Sequence, residues 1–299
     1  MKKMVKYDVF IYNKKNNRDE DRILKEQSLL DEHYNKHNEE KRLSRRHGLV
    51  EYRTTMRYIH KCIDNLLLER QNQNYNSDVQ TNLKIIDIGA GTGRYSVALD
   101  KEGYDVTAVE LVKYNVGILK AKKSNVKVFQ RSALNLKGFE DNEFDITLLF
   151  GPMYHLFSRE DKVKALSEAK RVTKKDGIIL VAYLMNEYGV LVHGFRDDFI
   201  KNSIENQKLD EEFHIMNTME DLYNYVRIED INFYNEETEL QRIQIIAATG
   251  PANYMRQVLN QMDEETFDIF MQYHYTTCER MDLIGASSHT LDILRKQND

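Results

Sequence analysis

Lys84 Ile85 Ile86 Asp87 Ile88 Gly89 Ala90 Gly91 Thr92 Gly93 Arg94 Tyr95 Ser96 runs from a short apolar stretch through three spaced glycines into an amphipathic one. It reads as a strand, a tight turn and the start of a helix. The glycines let the backbone turn sharply and approach a ligand closely, and the helix N-terminus that follows offers unpaired N–H groups and the positive end of a dipole. Glu110 closes a second apolar run, 105–110, seventeen residues past Gly93. A carboxylate there can accept from both hydroxyls of a ribose. The pattern predicts a site for an adenosine-containing cofactor; the alternative is a tight strand-to-helix turn with no ligand. A dinucleotide fingerprint would need a third small residue at position 94, and Arg94 stands there, which disfavours NAD.

From Leu83 onward, short apolar runs alternate with amphipathic stretches, the pattern of βαβ units around a parallel sheet. Strands are predicted at 84–88, 105–110, 126–130, 144–150 and 177–183, with helices at 94–101, 112–121 and 159–171. A loop and a short turn are expected over 131–142. Right-handed crossovers then put the ligand at the carboxyl ends of the strands, near the point where strand order reverses. Upstream, 18–43 reads as a charged, exposed helix and 49–68 as a second one, with Met56, Ile59, Ile63, Leu66 and Leu67 at helical spacing. The Gln, Asn and Ser run of 69–82 reads as a linker. Downstream, 187–288 holds an expected helix at 219–225, a strand-like run at 227–234 and helices at 253–261 and 264–280, before a last strand at 289–295. Sequence that long between sheet strands shapes either a substrate lid or a homodimer surface.

At 299 residues the chain can bury a full α/β core and carry an added element. Hydrophobic residues at 41% and charged residues at 30% exclude a disordered chain. No apolar run approaches the roughly 20 residues of a membrane helix, and the polar start is unlike a signal peptide, so a cytoplasmic protein is expected. Cys62 and Cys278 form no CxxC pair and have no partner His spacing, so no metal is expected. Residues 1–60 carry 15 basic and 10 acidic side chains, 61–196 carry 20 and 17, and 197–299 carry 8 and 21. An acidic last third is a poor surface for a phosphate backbone, which argues against a nucleic-acid partner; it also reads as a solvated face.

The stretch Asp87-Ile-Gly-Ala-Gly-Thr-Gly93 resembles the first motif of class I S-adenosylmethionine-dependent methyltransferases, and the likeness extends from about Leu49 to Tyr183. It implies an α/β, Rossmann-like, doubly wound and mostly parallel seven-stranded sheet, with N-terminal helices and a helical lid inserted before the last strand. It also implies an N-terminal segment, 1–82, over the cofactor; a cofactor-binding core, 83–186; and a closing segment, 187–299. In that family Asp87, Gly89, Ala90, Gly91 and Gly93 correspond to the loop for the amino acid part of S-adenosylmethionine. Glu110 is similar to the ribose acid, and Leu111 to the apolar neighbour that covers the adenine. Ser132, Ala133 and Leu134 flank the adenine, with Ser132 where an Asp is common.

Phe150 Gly151 Pro152 Met153 Tyr154 His155 Leu156 resembles the G-P-x-Y-H-L segment of small-molecule methyltransferases, in which the bend borders the sulfonium. Tyr154 and His155 then face the acceptor, and His155 is read either as a proton acceptor or as a structural histidine. Tyr52 and Arg53, from the basic cluster 41–55, are candidates for the cofactor's carboxylate; a solvated helix face and a phosphate site are the alternatives. In the lid, Tyr183, Asn186, Tyr188, His193, Phe195, Tyr254, Tyr273, His274 and Tyr275 form an aromatic and polar collection suited to a small acceptor. The resemblance implies methyl transfer to O, N or S of a small molecule. An RNA or protein methyltransferase and a non-catalytic cofactor-binding protein are the rival readings.

Overall fold

The structure, a computed structural model, describes residues 43–72 and 83–297 apart from Met219, together with Ser28, Leu30 and Glu32. The expected helix over 18–43 lies almost wholly outside these residues, although the described Leu30 and Leu43 are buried rather than exposed. Helix α1 spans Arg46–Asn72, so the first four positions of the expected linker are helical and 73–82 lie outside the described residues.

The central sheet forms as the apolar runs predict. Its first strands, with their connecting helices, are β1 Lys84–Ile88, α2 Arg94–Lys101, β2 Asp105–Glu110, α3 Lys113–Ala121, β3 Lys127–Gln130 and β4 Phe144–Leu149. A short helix α4, Pro152–His155, leads to α5 Arg159–Val172 and the long strand β5 Thr173–Leu184. Ser158 caps α5 by accepting from Asp161 N–H, acidic Glu160 and Asp161 occupy its first turn, and basic Lys170 and Arg171 its last.

After β5 come α6 Asn186–Tyr188, which runs into a π-helix Gly189–Arg196, then α7 Ile200–Glu205 and α8 Ile228–Glu237. Strand β6 Leu240–Ala247, helices α9 Arg256–Gln261, α10 Glu264–Thr277 and α11 Met281–Ile284, and strand β7 His289–Lys296 complete the described chain. The seven strands stand in the order β3-β2-β1-β4-β5-β7-β6. β1 to β5 are parallel, and β7 runs antiparallel between β5 and β6.

Period-two alternation divides the inner strands between two cores. Ile85, Ile146, Leu148, Ile178 and Leu180 face α1, α2 and α3 through Ile59, Leu99 and Leu119. Ile86, Ile88, Leu149, Ile179 and Val181 face α5 and α8 through Leu166, Ile231 and Tyr234. Strand order reverses between β1 and β4, so the crevice beyond their carboxyl ends lies where the crossover rule expects a ligand.

Two expected elements are overturned. The run 227–234 is not a strand; it belongs to α8, whose buried Ile231 and Tyr234 sit one turn apart and whose start is fixed by Arg227 N–H donating to Asp230. Of the expected helix at 219–225, the described residues 220–225 are not helical: 220–222 form a turn and bends, and 223–225 carry no regular element. Asn224 N–H donates to Tyr154 O, Val226 N–H donates to Leu184 O, and Val226 bridges Met185 in parallel, so tertiary hydrogen bonds outweigh local helix propensity there.

Candidate active site

A cleft of about 670 Å³ opens at the carboxyl ends of β1, β2 and β4. Asp87, Gly89, Ala90, Gly91, Glu110, Leu111, Ser132, Ala133, Phe150, Gly151, Tyr154 and His155, all expected at the site from the sequence, line it. Gly93 and Leu134 support it from behind. A Cβ at Gly93 would lie 2.1 Å from Leu119 Cδ1, and Leu134 is buried in the core.

The glycine loop is shaped by two constraints. Gly89 has φ +81°, and a Cβ there would meet Pro152 Cδ at 2.4 Å and Phe150 O at 2.6 Å. The Pro152 ring therefore packs directly on the loop, locking the turn after β1 to the bend after β4. Gly91, at φ +55°, has nothing within 4 Å of where its Cβ would stand, leaving a cradle on the cleft wall. Gly93, at φ +82°, is the N-cap of α2 and supplies no side-chain cap, so the first turn of that helix presents its backbone N–H groups at the loop, the one of Ser96 donating to Asp87.

Two acids face each other across the loop. Glu110 Oε2 accepts from Gly91 N–H at 2.7 Å and Oε1 from Val112 N–H at 2.8 Å. Burial raises its pKa, while these N–H donors, the Asn115 side chain and the Leu111 N–H pull the other way. Asp87 Oδ2 accepts from Ser96 Oγ, whereas Oδ1 is buried with no hydrogen-bond partner. Burial pushes the Asp87 carboxyl up to about 6, with the nearby Glu110 charge adding to it. An unpartnered buried carboxylate oxygen on a cleft wall fits an ammonium donor, and the open cradle at Gly91 fits a ligand passing close to the backbone.

Arg53 is not brought to the cleft. Its Nη1 donates to Asp268 at 3.0 Å and its guanidinium lies over Phe267, because that face of α1 packs on α10. Tyr52 lies beside the cleft rather than in its wall, 5.4 Å from Tyr95 and beneath the Arg94 guanidinium at 4.5 Å. Arg94, whose Nε is buried without a partner, lines the cleft instead. Ser132 Oγ accepts from Leu134 N–H at 3.2 Å, which holds its hydroxyl at the cleft edge.

The remaining wall of the cleft is aromatic. Tyr154, His155 and Tyr223 form a chain of rings at 5.0 and 5.4 Å, and His155 Nδ1 donates to Leu222 O at 3.0 Å. Buried Lys162 ties this wall together by donating to Leu156 O and Asn224 Oδ1. Tyr188 and His193 reach the cleft from α6 and the π-helix, and Tyr254 packs on Tyr188 at 5.3 Å. Tyr183 and Asn186 are fully buried away from it, Phe195 and Tyr273 are exposed, His274 is enclosed beside Phe270, and Tyr275 lies under Arg57. Sequence reasoning missed Glu51, Tyr223, Tyr225 and His289, which also line the cleft. Glu51 lies within the basic cluster and His289 opens the last strand, and neither carries a local motif.

Residues 86–181 match the family model described as a methyltransferase domain. A search of curated protein sequences finds none that matches. Among solved structures, a SAM-dependent methyltransferase from Methanosarcina mazei aligns over 76% of this chain and 97% of its own at 13% identity, with a TM-score of 0.50. A geranyl diphosphate C-methyltransferase from Streptomyces coelicolor aligns over 71% and 72% at 12% identity, TM-score 0.46. A TehB-like SAM-dependent methyltransferase from Corynebacterium glutamicum aligns over 72% and 80% at 15% identity, TM-score 0.42. The likeness to the Methanosarcina protein speaks to the fold, whereas the domain match falls on the strands and loops that build the cleft. Residues 86–181 thus match a methyltransferase domain set in a Rossmann-like fold.

Proposed function

We propose that the chain methylates an O, N or S atom of a small molecule held in the aromatic half of the cleft. The observation that carries this reading is one enclosure of about 670 Å³ with the unpartnered Asp87 Oδ1 and the Glu110 carboxylate in one part and a wall of Tyr154, His155, Tyr188, Tyr223 and Tyr225 in the other. That volume suits a cofactor and a compact acceptor rather than a folded macromolecule. Among the described residues, no helix is long and apolar enough to cross a membrane.

Within this reading Asp87 accepts from the cofactor's ammonium, and Arg94 together with the first-turn N–H groups of α2 meets its carboxylate. Glu110 accepts from the ribose hydroxyls, while Leu111, Ser132 and Ala133 flank the adenine. Phe150 and Gly151 border the reacting end. Bound there, S-adenosylmethionine supplies a methyl group on a positively charged sulfur. The protein's contribution is alignment and exclusion of water, and good alignment alone supplies roughly 7–11 kcal/mol. Tyr154 and His155 form the acceptor wall, with the His155 ring fixed by Leu222 O. The divisions follow the same logic: 1–82 covers the cofactor, 83–186 binds it, and 187–299 closes the acceptor side.

The test is methyl transfer from radiolabelled S-adenosylmethionine into a cell extract. Label in the low-mass fraction supports the reading. Label confined to RNA or protein overturns it.

A further inference from the structure

We propose that the acceptor is a small molecule with a hydrocarbon tail, and that the tail lies in a second chamber behind the aromatic wall of the cleft. The inference rests on the small-molecule reading above and names the class of acceptor within it. The chamber, of about 330 Å³, is built by the π-helix, α7 and the chain that follows α7. His193, Tyr223 and Tyr225 line both this chamber and the main cleft, so the two cavities share a wall.

The π-helix makes that wall. Its hydrogen bonds reach back five residues, as where Asp197 N–H donates to Val192 O at 3.0 Å. Side chains five apart, which diverge by about 140° on an α-helix, come round to nearly the same side. Tyr188 and His193 are such a pair: their rings meet edge-on at 5.9 Å, and both line the main cleft. Gly189 and Gly194 of the same helix line the chamber. A Cβ at Gly189 would meet Ile215 Cδ1 at 2.6 Å and Tyr225 Cδ1 at 3.1 Å, so glycine lets the later chain close directly on the helix. The buried Tyr225 ring stands 6.4 Å from that of His193 where the two cavities adjoin.

The chemistry of the chamber selects its occupant. Val190, Phe199, Ile200, Leu209, Ile215 and Leu222 supply apolar surface. Its charged side chains are engaged with each other: Lys208 Nζ donates to Asp221 Oδ1, and Asp221 Oδ2 accepts from Thr218 N–H at 2.9 Å. Asn217 Nδ2 donates to Tyr223 O at 2.7 Å. A polar occupant would have to compete with these bonds, whereas a hydrocarbon leaves them intact and takes its own surface out of water. The same segment, 189–217, exposes Leu191, Phe195, Phe213 and Met216, an apolar surface suited to a molecule that carries a hydrocarbon. The acceptor's reacting atom stays in the main cleft, and the shared wall lets its tail continue from one cavity into the other.

The test titrates the full chain, saturated with S-adenosylhomocysteine, with n-butanol, n-hexanol and n-octanol by calorimetry. Affinity is expected to rise about fourfold per added methylene. Two variants fill the chamber: Leu209→Trp from the chain after α7 and Ser203→Phe from α7 itself. Ser203 is part-exposed on its helix, so Ser203→Phe carries the test if Leu209→Trp does not fold. Each variant is expected to keep S-adenosylhomocysteine affinity within about threefold of wild type and to bind n-octanol no more than about threefold tighter than n-butanol. In the extract assay, the low-mass label made by the wild type is expected to pass from water into octanol and to fall at least roughly tenfold in the filled variants. A wild type whose affinity does not rise along the alcohol series overturns the proposal. So does a rise that the filled variants retain. Label confined to RNA or protein defeats the small-molecule reading, and the tail with it. Low-mass label that stays in water and survives both variants defeats the tail alone.

Discussion

Replacing Asp87 by asparagine separates what the cleft costs the fold from what it contributes to binding. The carboxylate is fully buried, accepts from the Ser96 hydroxyl and backbone N–H and leaves Oδ1 without a side-chain partner, and burial holds its pKa near 6 against an ordinary 3.8. A raised folded pKa means that the folded chain binds this proton more tightly than the unfolded chain. Ionisation therefore costs stability as pH rises through the interval from 3.8 to about 6, and the full cost is present at neutral pH. That interval corresponds to about 3 kcal/mol. Weakening the hydrogen bond from Ser96, once its acceptor is uncharged, takes back about 1 kcal/mol. Asp87→Asn should thus stabilise the ligand-free chain by about 2 kcal/mol, a rise of a few degrees in Tm. On the proposed reading, the same change removes the charge that meets the cofactor's ammonium. At about 1.5–3 kcal/mol for a hydrogen bond to a charged group, S-adenosylhomocysteine should bind roughly 10- to 150-fold more weakly. Below pH 6 the wild-type affinity should fall as a proton competes for Asp87, while the asparagine variant should show no such fall. Thermal melts and calorimetric titrations at pH 5.5 and 7.5 read both effects. A variant that binds within threefold of wild type, or one that loses Tm and affinity together, refutes the reasoning.

Gly89→Ala should fail to fold or melt far below wild type, because its Cβ would lie 2.4 Å from Pro152 Cδ, whereas Gly91→Ala has open space and should lose only about 1 kcal/mol to its left-handed backbone in urea unfolding. Gly91→Ala should nonetheless weaken S-adenosylhomocysteine at least roughly tenfold, since its methyl group occupies the cradle that a bound ligand needs; unchanged affinity would count against the cradle. His274 is enclosed beside Phe270, and burial depresses its pKa to about 4. The unfolded chain then takes up this proton first, so stability is lost as pH falls from about 6.5 toward 4, by up to about 3 kcal/mol. His274→Phe should flatten that part of the stability-versus-pH curve, and a curve parallel to wild type would show that another group carries the loss.

The parallel core was legible because its strands obey simple rules. Each apolar run from Lys84 to Leu149 is bounded by glycine or polar residues, and the helices between them carry one apolar stripe. Strand β6 was not legible for a physical reason: a bulge between Arg242 and Gln244 breaks the alternation and leaves Ile243 half exposed, so the run lacks a clean period of two. The segment 227–234 misled because Ile, Tyr and Phe suit strands, yet the acidic first turn of Glu229 and Asp230 and the spacing of Ile231 and Tyr234 mark a helix start. In the cleft, the glycine loop and Glu110 were readable from spacing alone, since their geometry is local. Arg53 was not, because a basic residue on α1 reaches the cleft or the α10 face according to helix phase, and its partner Asp268 lies more than two hundred residues away. Glu51 and His289 meet only through the fold. The charge signal that could have suggested Arg94 was read for the absence of a small residue at that position.

Titration of the wild-type chain with S-adenosylhomocysteine, with Glu110→Ala beside it, addresses the cleft itself. The Glu110 carboxylate holds the loop through Gly91 N–H and, in this account, the ligand through its sugar. Heat of binding with a micromolar or tighter Kd, weakened at least roughly tenfold in Glu110→Ala, is the predicted result. A wild-type chain that takes up no ligand at millimolar concentration, or an alanine variant that binds as tightly as wild type, would contradict it.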